Sequence, residues 1–342
     1  MTRIDAARWI RGGFWAAGVG ILAEHCSLVG AFHHQKWRAS LPVETHRASM
    51  RVMRTILVFL GVSMLAGCGG ANEAKPVAQA ATKPIDTRDF FGEARGCFSM
   101  RELGNGETFE MGGDECGERS LPASTFKIPN AIIALDTGVL KDEKTILKWD
   151  GKKRWNDNWN RDHALPTAMW HSVVPFFQEI ATQVGAERYR TYLSAFHYGN
   201  ADPSGDVTLF WLENGRLSIS PREQVSFLAS MYEGKLRVST RAVDLVKATL
   251  ELRGEAKEHV RDRLPFVDRI AENVVLSGKT GSAMPDSGEI GPLDVVGWFV
   301  GAVERDGRRW VFACRLRSGD GKKIGTEAAR IAYEILKSRG MV

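Results

Sequence analysis

No C-x-x-C pair and no H-E-x-x-H occurs in the 342 residues, so neither a structural zinc site nor a zinc protease has support. Internal repeats are absent, and low-complexity sequence is confined to one short tract before residue 87. A charge imbalance is missing from most of the chain as well. Residues 1–67 hold 8 Lys/Arg against 3 Asp/Glu, while the rest holds 38 of each. The formal charge of +5 therefore belongs to the leader, and a nucleic-acid partner loses its electrostatic footing. The apolar run Thr55 to Ala66 is too short for a comfortable transmembrane helix. What is present is a chain of 44% hydrophobic residues, long enough for a leader plus one large domain or two modest ones.

Composition divides the chain into four segments. Residues 1–49, with the apolar stretch Phe14 to Leu22 and the pair His33-His34, fit no definable element. They read as an over-extended start, with a cytoplasmic tail or a first membrane anchor as alternatives; Met50 or Met53 makes a better start. His33-His34 lack the partners a metal site needs. Residues 50–67 combine the basic Met50-Arg51-Val52-Met53-Arg54 with the apolar run, ending in Leu65-Ala66-Gly67 before Cys68-Gly69. That ending resembles a bacterial lipoprotein box, so cleavage before Cys68 and lipidation of Cys68 are expected. An ordinary signal peptide and an uncleaved anchor are the competing readings. The expected location is the periplasm, with the membrane reached only through the lipid anchor, and Gly69 rather than Asp favours the outer membrane. Residues 68–86 are rich in Gly, Ala, Lys and Pro with no hydrophobic period and read as a flexible tether. Residues 87–342 form the domain.

Three cysteines follow Cys68. Cys97 and Cys116 flank a predicted hairpin around Gly104-Asn105-Gly106, a placement compatible with a disulfide in an oxidising compartment. Cys314, inside the apolar run Trp310 to Cys314, reads as a buried free thiol.

Alternation predicts a strand over Gly96 to Leu103 and a second through Phe109. A helix starts at Ser124 and ends near Gly138, a surface loop covers Leu147 to Asn160, and Leu165 to Val184 has helix length. Further helices are expected over Glu187 to Phe196, from Ser220 to Tyr232 with a capping pattern, and over Arg241 to Leu250. Asn273 to Gly281, Leu293 to Val303 and Arg309 to Leu316 read as an antiparallel meander, and Ile324 to Lys337 as an amphipathic helix. Strands at both ends with helices between them predict an α/β fold. Its antiparallel sheet is built from N- and C-terminal strands flanked by helices, with an inserted all-α region.

The stretch Pro122-Ala123-Ser124-Thr125-Phe126-Lys127-Ile128-Pro129 organises the rest. Residues i and i+3 share a helix face, so Ser124 Oγ and Lys127 Nζ can meet. Serine needs an adjacent base to act as a nucleophile, and lysine becomes one when burial removes its proton. Phe126, Ile128 and Ile132 supply apolar surroundings. Three further motifs follow: Ser172-x-Val174, Tyr198-Gly199-Asn200 and Lys279-Thr280-Gly281. Their first members lie 48, 26 and 81 residues apart in order from Ser124. Singly, each has an ordinary structural explanation: a helix cap, a left-handed helix end at Gly199, a strand running into a turn. Together and in this order, coincidence is hard to sustain.

This sequence resembles the penicillin-recognising serine enzymes, and most closely the class D (oxacillinase-type) β-lactamases. The resemblance runs from about Cys97 to the C-terminus. It includes Trp149-Asp150-Gly151, Phe210-Trp211-Leu212 and Gly297-Trp298-Phe299-Val300-Gly301 beside the four motifs. It implies β-lactam hydrolysis through an acyl-enzyme on Ser124, with Lys127 as an N-carboxylated general base, so carbon dioxide or bicarbonate is the only accessory and no cofactor or metal is expected. Val174, Phe126 and Leu212 would desolvate Lys127 and lower its pKa from about 10.4, leaving a neutral amine to add carbon dioxide. Trp211 matches the tryptophan that steadies the carbamate. Ser172 would relay a proton to the leaving nitrogen, and the N–H groups of Ser124 and Ala283 would hold the oxyanion. Tyr198, Lys279, Thr280 and Gly281 are implied as substrate-binding. One position departs from the pattern: the arginine common near the start of the last helix is replaced by Ala328, with Arg330, Lys323 and Arg315 as the neighbouring candidates to substitute. The expected partner is a small β-lactam, a dimer being possible. A β-lactam sensor that acylates without turnover is the alternative, with a D-alanyl-D-alanine peptidase or a non-enzymatic envelope lipoprotein further behind.

Overall fold

The computed structural model describes residues 87–212, 215–283, 295–318 and 324–342. The expectations for residues 1–86, Cys68 included, and for Lys323 lie outside them. Five strands form one antiparallel sheet: β1 (Arg95–Glu102), β2 (Thr108–Met111), β3 (Val274–Ala283), β4 (Val295–Arg305) and β5 (Arg308–Ser318). Their order is β2-β1-β5-β4-β3, so the two ends of the domain meet where β1 pairs with β5. Phe98 lies opposite Cys314 and Met100 opposite Phe312 in that ladder. The β4–β5 turn is Asp306-Gly307, both residues with positive φ (52° and 74°), as a two-residue hairpin of matching twist requires.

The helices are α1 (Arg88–Phe91), α2 (Lys127–Asp136), α3 (Leu165–Trp170), α4 (Val174–Val184), α5 (Ala186–Ala195), α6 (Pro221–Tyr232), α7 (Thr240–Leu250), α8 (Glu255–Val260) and α9 (Ile324–Ser338). α2 to α8 lie in sequence between the hairpin and the meander, as the pattern of elements foretold. α6 begins with the anticipated capping box, in which the Ser220 hydroxyl accepts from Glu223 N and the Glu223 carboxylate accepts from Ser220 N.

Strand alternation sorts the core into two layers. On β4, Val296, Trp298, Val300 and Ala302 join the helical core, while Val295, Phe299 and Val303 join the core under α9. A strand buried on both faces reads as a continuous apolar run, as β4 does. Cys314 is buried in the second layer as a free thiol, and burial pushes its pKa up.

Leu165 to Val184 is not one helix. α3 ends at Trp170, and α4 starts at Val174 with Pro175 in its first turn. Pro175 has no N–H to donate to the carbonyl four residues back, that of His171, and its ring crowds that carbonyl, so the run breaks over His171 to Val173 and restarts with the proline in its first turn. The break leaves Ser172 at φ 53°, a left-handed conformation that a non-glycine residue adopts at a cost.

Cys97 and Cys116 form a disulfide across 19 residues of sequence. Closing a loop of that length limits the unfolded chain by about 3 kcal/mol in the entropic account. Replacing both cysteines by alanine is therefore expected to cost about that much in urea unfolding. A loss below about 1 kcal/mol would show that the hairpin and β1–β5 pairing carry the fold without it.

Candidate active site

The site forms where the start of the helical region meets the edge strand β3. Residues Ala123–Phe126 make a 3₁₀ turn that runs directly into α2. Ala123 is left-handed at φ 48°, and Thr125 closes the turn by donating its N–H (3.1 Å) and its hydroxyl (2.7 Å) to Pro122 O. Ser124 therefore stands on a constrained turn at a helix start, and Lys127 follows on the same side. Lys127 Nζ donates to Ser124 Oγ at 2.8 Å, the contact expected from the three-residue spacing.

Lys127 is 0% exposed and its ammonium group lies 5.4 Å from the centroid of the Phe177 ring. Phe126 beneath it is the hub of an aromatic cluster, stacked on Trp211 at 5.2 Å and edge-on to Phe210 at 5.1 Å. Trp211 is fully buried, and among the described residues its indole Nε1–H has no acceptor. Val174 and Leu212 pack on the same core.

The second serine faces the Lys-Thr-Gly strand. Lys279 Nζ donates to Ser172 Oγ at 3.1 Å and to Thr280 O at 2.8 Å. Lys279 is 5% exposed; burial, then the positive charges of Lys127 and Arg263, hold its pKa well below the usual lysine value. Gly281 brings β3 against the nucleophile's turn: a Cβ there would lie 3.1 Å from both Pro122 O and Thr125 Cγ2. The Trp298 indole donates to Leu121 O at 2.9 Å and ties β4 to the same turn. Ala283 ends β3, paired with Val296 and buried.

Tyr198 is enclosed in the core. It is 0% exposed, its hydroxyl accepts from Gln224 Nε2 at 3.4 Å, and burial pushes its pKa up. Gln224 Nε2 also donates to Thr125 Oγ1 at 2.9 Å. Through Gln224, Tyr198 thus braces the Ser124 turn from within the core. Gly199 beside it is required by geometry, because a Cβ would sit 2.0 Å from Ser218 O. The contacts that Gln224 and Trp298 make with the Ser124 turn span 99 and 177 residues, and no local motif announces a contact made across such a distance.

Two proposed carboxylate-binding arginines are engaged elsewhere. Arg315 is fully buried and donates to the Glu115 carboxylate at 2.6 Å, to Glu115 O at 2.8 Å and to Ser120 Oγ at 3.2 Å. Arg330 pairs with Glu327 one turn earlier on α9. Ala328 is buried in the core.

His171 precedes Ser172 and touches a second histidine: its Nε2 lies 3.1 Å from His259 Nδ1 and 3.2 Å from Arg161 Nη2. A guanidinium only donates, so that nitrogen accepts and the ring is neutral. Burial, then Arg161, His259, Arg263 and His163, push the His171 pKa down to about 4. An unfolded histidine titrates near 6.5, so between these values the unfolded chain binds a proton that the folded chain does not. Stability is full above pH 6.5 and is expected to fall as pH drops toward 4. Thermal melts from pH 7 to 5 should show the loss, and His171→Gln should flatten it. An unchanged slope in the variant would remove His171 as its source.

A serine and a buried lysine on one turn, faced by a second serine and a Lys-Thr-Gly edge strand, define a penicillin-recognising serine enzyme. Residues 96–337 match the penicillin binding protein transpeptidase domain. The chain is 41% identical over 222 residues to Beta-lactamase OXA-48 of Klebsiella pneumoniae, covering 65% of this chain and 75% of that one. A solved class D beta-lactamase from Bacillus subtilis superposes with TM-score 0.64 at 32% identity, over 76% of this chain and 97% of that one. Regulatory protein BlaR1 of Bacillus licheniformis is 34% identical over 227 residues, 66% of this chain but only 34% of that protein. The chain belongs to the penicillin-binding transpeptidase-domain family, in its class D β-lactamase branch.

Proposed function

We propose that this protein hydrolyses the β-lactam amide of penicillin-type antibiotics through an acyl-enzyme on Ser124, with Lys127, carboxylated on Nζ, as general base. The observation that carries this reading is the 2.8 Å contact between Ser124 Oγ and a Lys127 amine that is 0% exposed. Burial favours the neutral amine, the form that adds carbon dioxide. The indole N–H of Trp211 in the same aromatic cluster, which has no acceptor among the described residues, fits a new acceptor there.

Ser124 Oγ attacks the lactam carbonyl carbon as carboxylated Lys127 takes its proton. The N–H groups of Ser124 and Ala283 hold the developing oxyanion. When the C–N bond breaks, Ser172, held by Lys279 at 3.1 Å, gives its proton to the nitrogen. It recovers one from carboxylated Lys127, which is left free to act as base again. Carboxylated Lys127 then takes a proton from a water that attacks the ester carbon. It passes that proton to Ser124 Oγ as the ester C–O bond breaks, which releases the acid and restores Ser124. The leader reading places this chemistry in the periplasm, with Cys68 lipidated and the protein tethered to a membrane.

The test is hydrolysis of a chromogenic β-lactam with and without added bicarbonate. Multiple turnovers that rise with bicarbonate and vanish in Ser124→Ala support the proposal. One stoichiometric burst with a stable adduct on Ser124 would favour a sensor instead, the reading to which the partial similarity with BlaR1 belongs.

A further inference from the structure

We propose that Arg263 binds the carboxylate of the β-lactam substrate, together with Lys279 and Thr280. The inference rests on the β-lactamase reading of the Ser124 site and adds a residue that none of the four motifs contains.

Between α7 and β3 the chain makes an excursion through α8 and a 3₁₀ turn, Pro265–Arg269. Val260, Leu264, Phe266 and Val267 are buried in the layer beneath α9. Arg263 N and Leu264 N both donate to Val260 O, at 3.0 and 2.9 Å. These anchors fix the backbone on either side of Arg263 and leave only its side chain to choose a direction. The guanidinium donates through Nη2 to Trp170 O, two residues before Ser172. A carbonyl orients the guanidinium without neutralising it. Among the described residues Arg263 makes no ion pair, and its sequence neighbour Asp262 is exposed.

Arg263, Lys279, Thr280, Trp170 and Thr326 line one small cavity of about 40 Å³. That volume is close to the share of one water molecule in the liquid, about 30 Å³. It takes a carboxylate-sized group but not a whole ligand, so it suits one end of a substrate. Two cations of the chain converge on it, and the charge of Arg263 is one cause of the depressed Lys279 pKa. Lys279 is buried while Arg263 beside it is exposed, and holding like charges side by side is unfavourable unless something negative joins them. A bound carboxylate supplies that charge, and the guanidinium fork presents further donors to it. Penicillin-type molecules carry a carboxylate on the carbon next to the lactam nitrogen. Gripping it beside Lys279 also aligns the lactam carbonyl with Ser124, since Lys279 touches Ser172 and β3 presses on the Ser124 turn.

The experiment compares a penicillin with its uncharged methyl ester in the full-length protein, wild type against Arg263→Met and Arg263→Lys. Arg263→Met is expected to lose about 30-fold in kcat/KM for the acid, mostly through KM, which is about 2 kcal/mol at 1.4 kcal/mol per decade. For the ester the change should stay within about threefold, and Arg263→Lys should recover part of the loss on the acid. Equal losses on acid and ester would mean that Arg263 only supports the fold, and no loss on the acid would place the carboxylate elsewhere; either overturns the proposal. If the wild type hydrolyses neither compound, the Ser124 reading itself fails, and that result is visible before any variant is compared.

Discussion

Replacing Lys127 by alanine is expected to reduce β-lactam turnover by about a thousandfold or more. General bases contribute about 10² to 10⁴ in rate, and here one group would serve both acylation and deacylation. Among the described residues the site holds no second base placed to take over. Lys279, the other lysine at the site, already donates to Ser172 Oγ and Thr280 O, and its contacts lie on the leaving-group side. Any Ser124 adduct that forms in the variant should therefore persist, and intact-mass measurement after a penicillin pulse should show it for hours. Added bicarbonate should restore nothing. Folding is not expected to suffer badly, because alanine removes a buried amine from apolar walls. A Lys127→Ala protein that melts normally and turns over at a tenth of the wild-type rate would dismiss Lys127 as the base.

The second large effect concerns Trp211. A buried N–H without an acceptor costs about 1–3 kcal/mol, so this indole either destabilises the chain or has a partner in the working state. Trp211→Phe keeps a ring to stack on Phe126 and deletes the N–H. Turnover should fall by about 10- to 100-fold, with more bicarbonate needed to reach half the maximal rate. Stability without bicarbonate should hold or rise, since an unpaired donor is gone. The opposite pattern, full activity with lost stability, would assign Trp211 to packing alone.

The architecture was legible because strand alternation and the paired ends of the chain constrain it strongly. β4 is an apolar run, and the Asp306-Gly307 hairpin at its end fixes its pairing with β5. The Ser124–Lys127 contact followed from helix periodicity alone. Ser172 was placed within a helix, although Pro175 already signalled the break that turns its backbone left-handed. Tyr198 shows a different limit: a tyrosine at a helix end looks available, and only packing against Phe126 and Phe227 reveals that it is enclosed. Arg263 and His259 reach the site from α8 and the residues after it. Their partners, Trp170 and His171, lie about ninety residues earlier, a distance across which no local pattern reports. Arg315 misled for the reverse reason, since its position in a strand gives no hint that Glu115 waits beneath it.

The most direct test is carbon-13 NMR of the protein equilibrated with labelled bicarbonate. One protein-bound carbamate resonance, present in the wild type, absent in Lys127→Ala and weakened in Trp211→Phe, is the expected result. Continued β-lactam turnover with no such resonance at saturating bicarbonate would contradict the assignment of carboxylated Lys127 as the base.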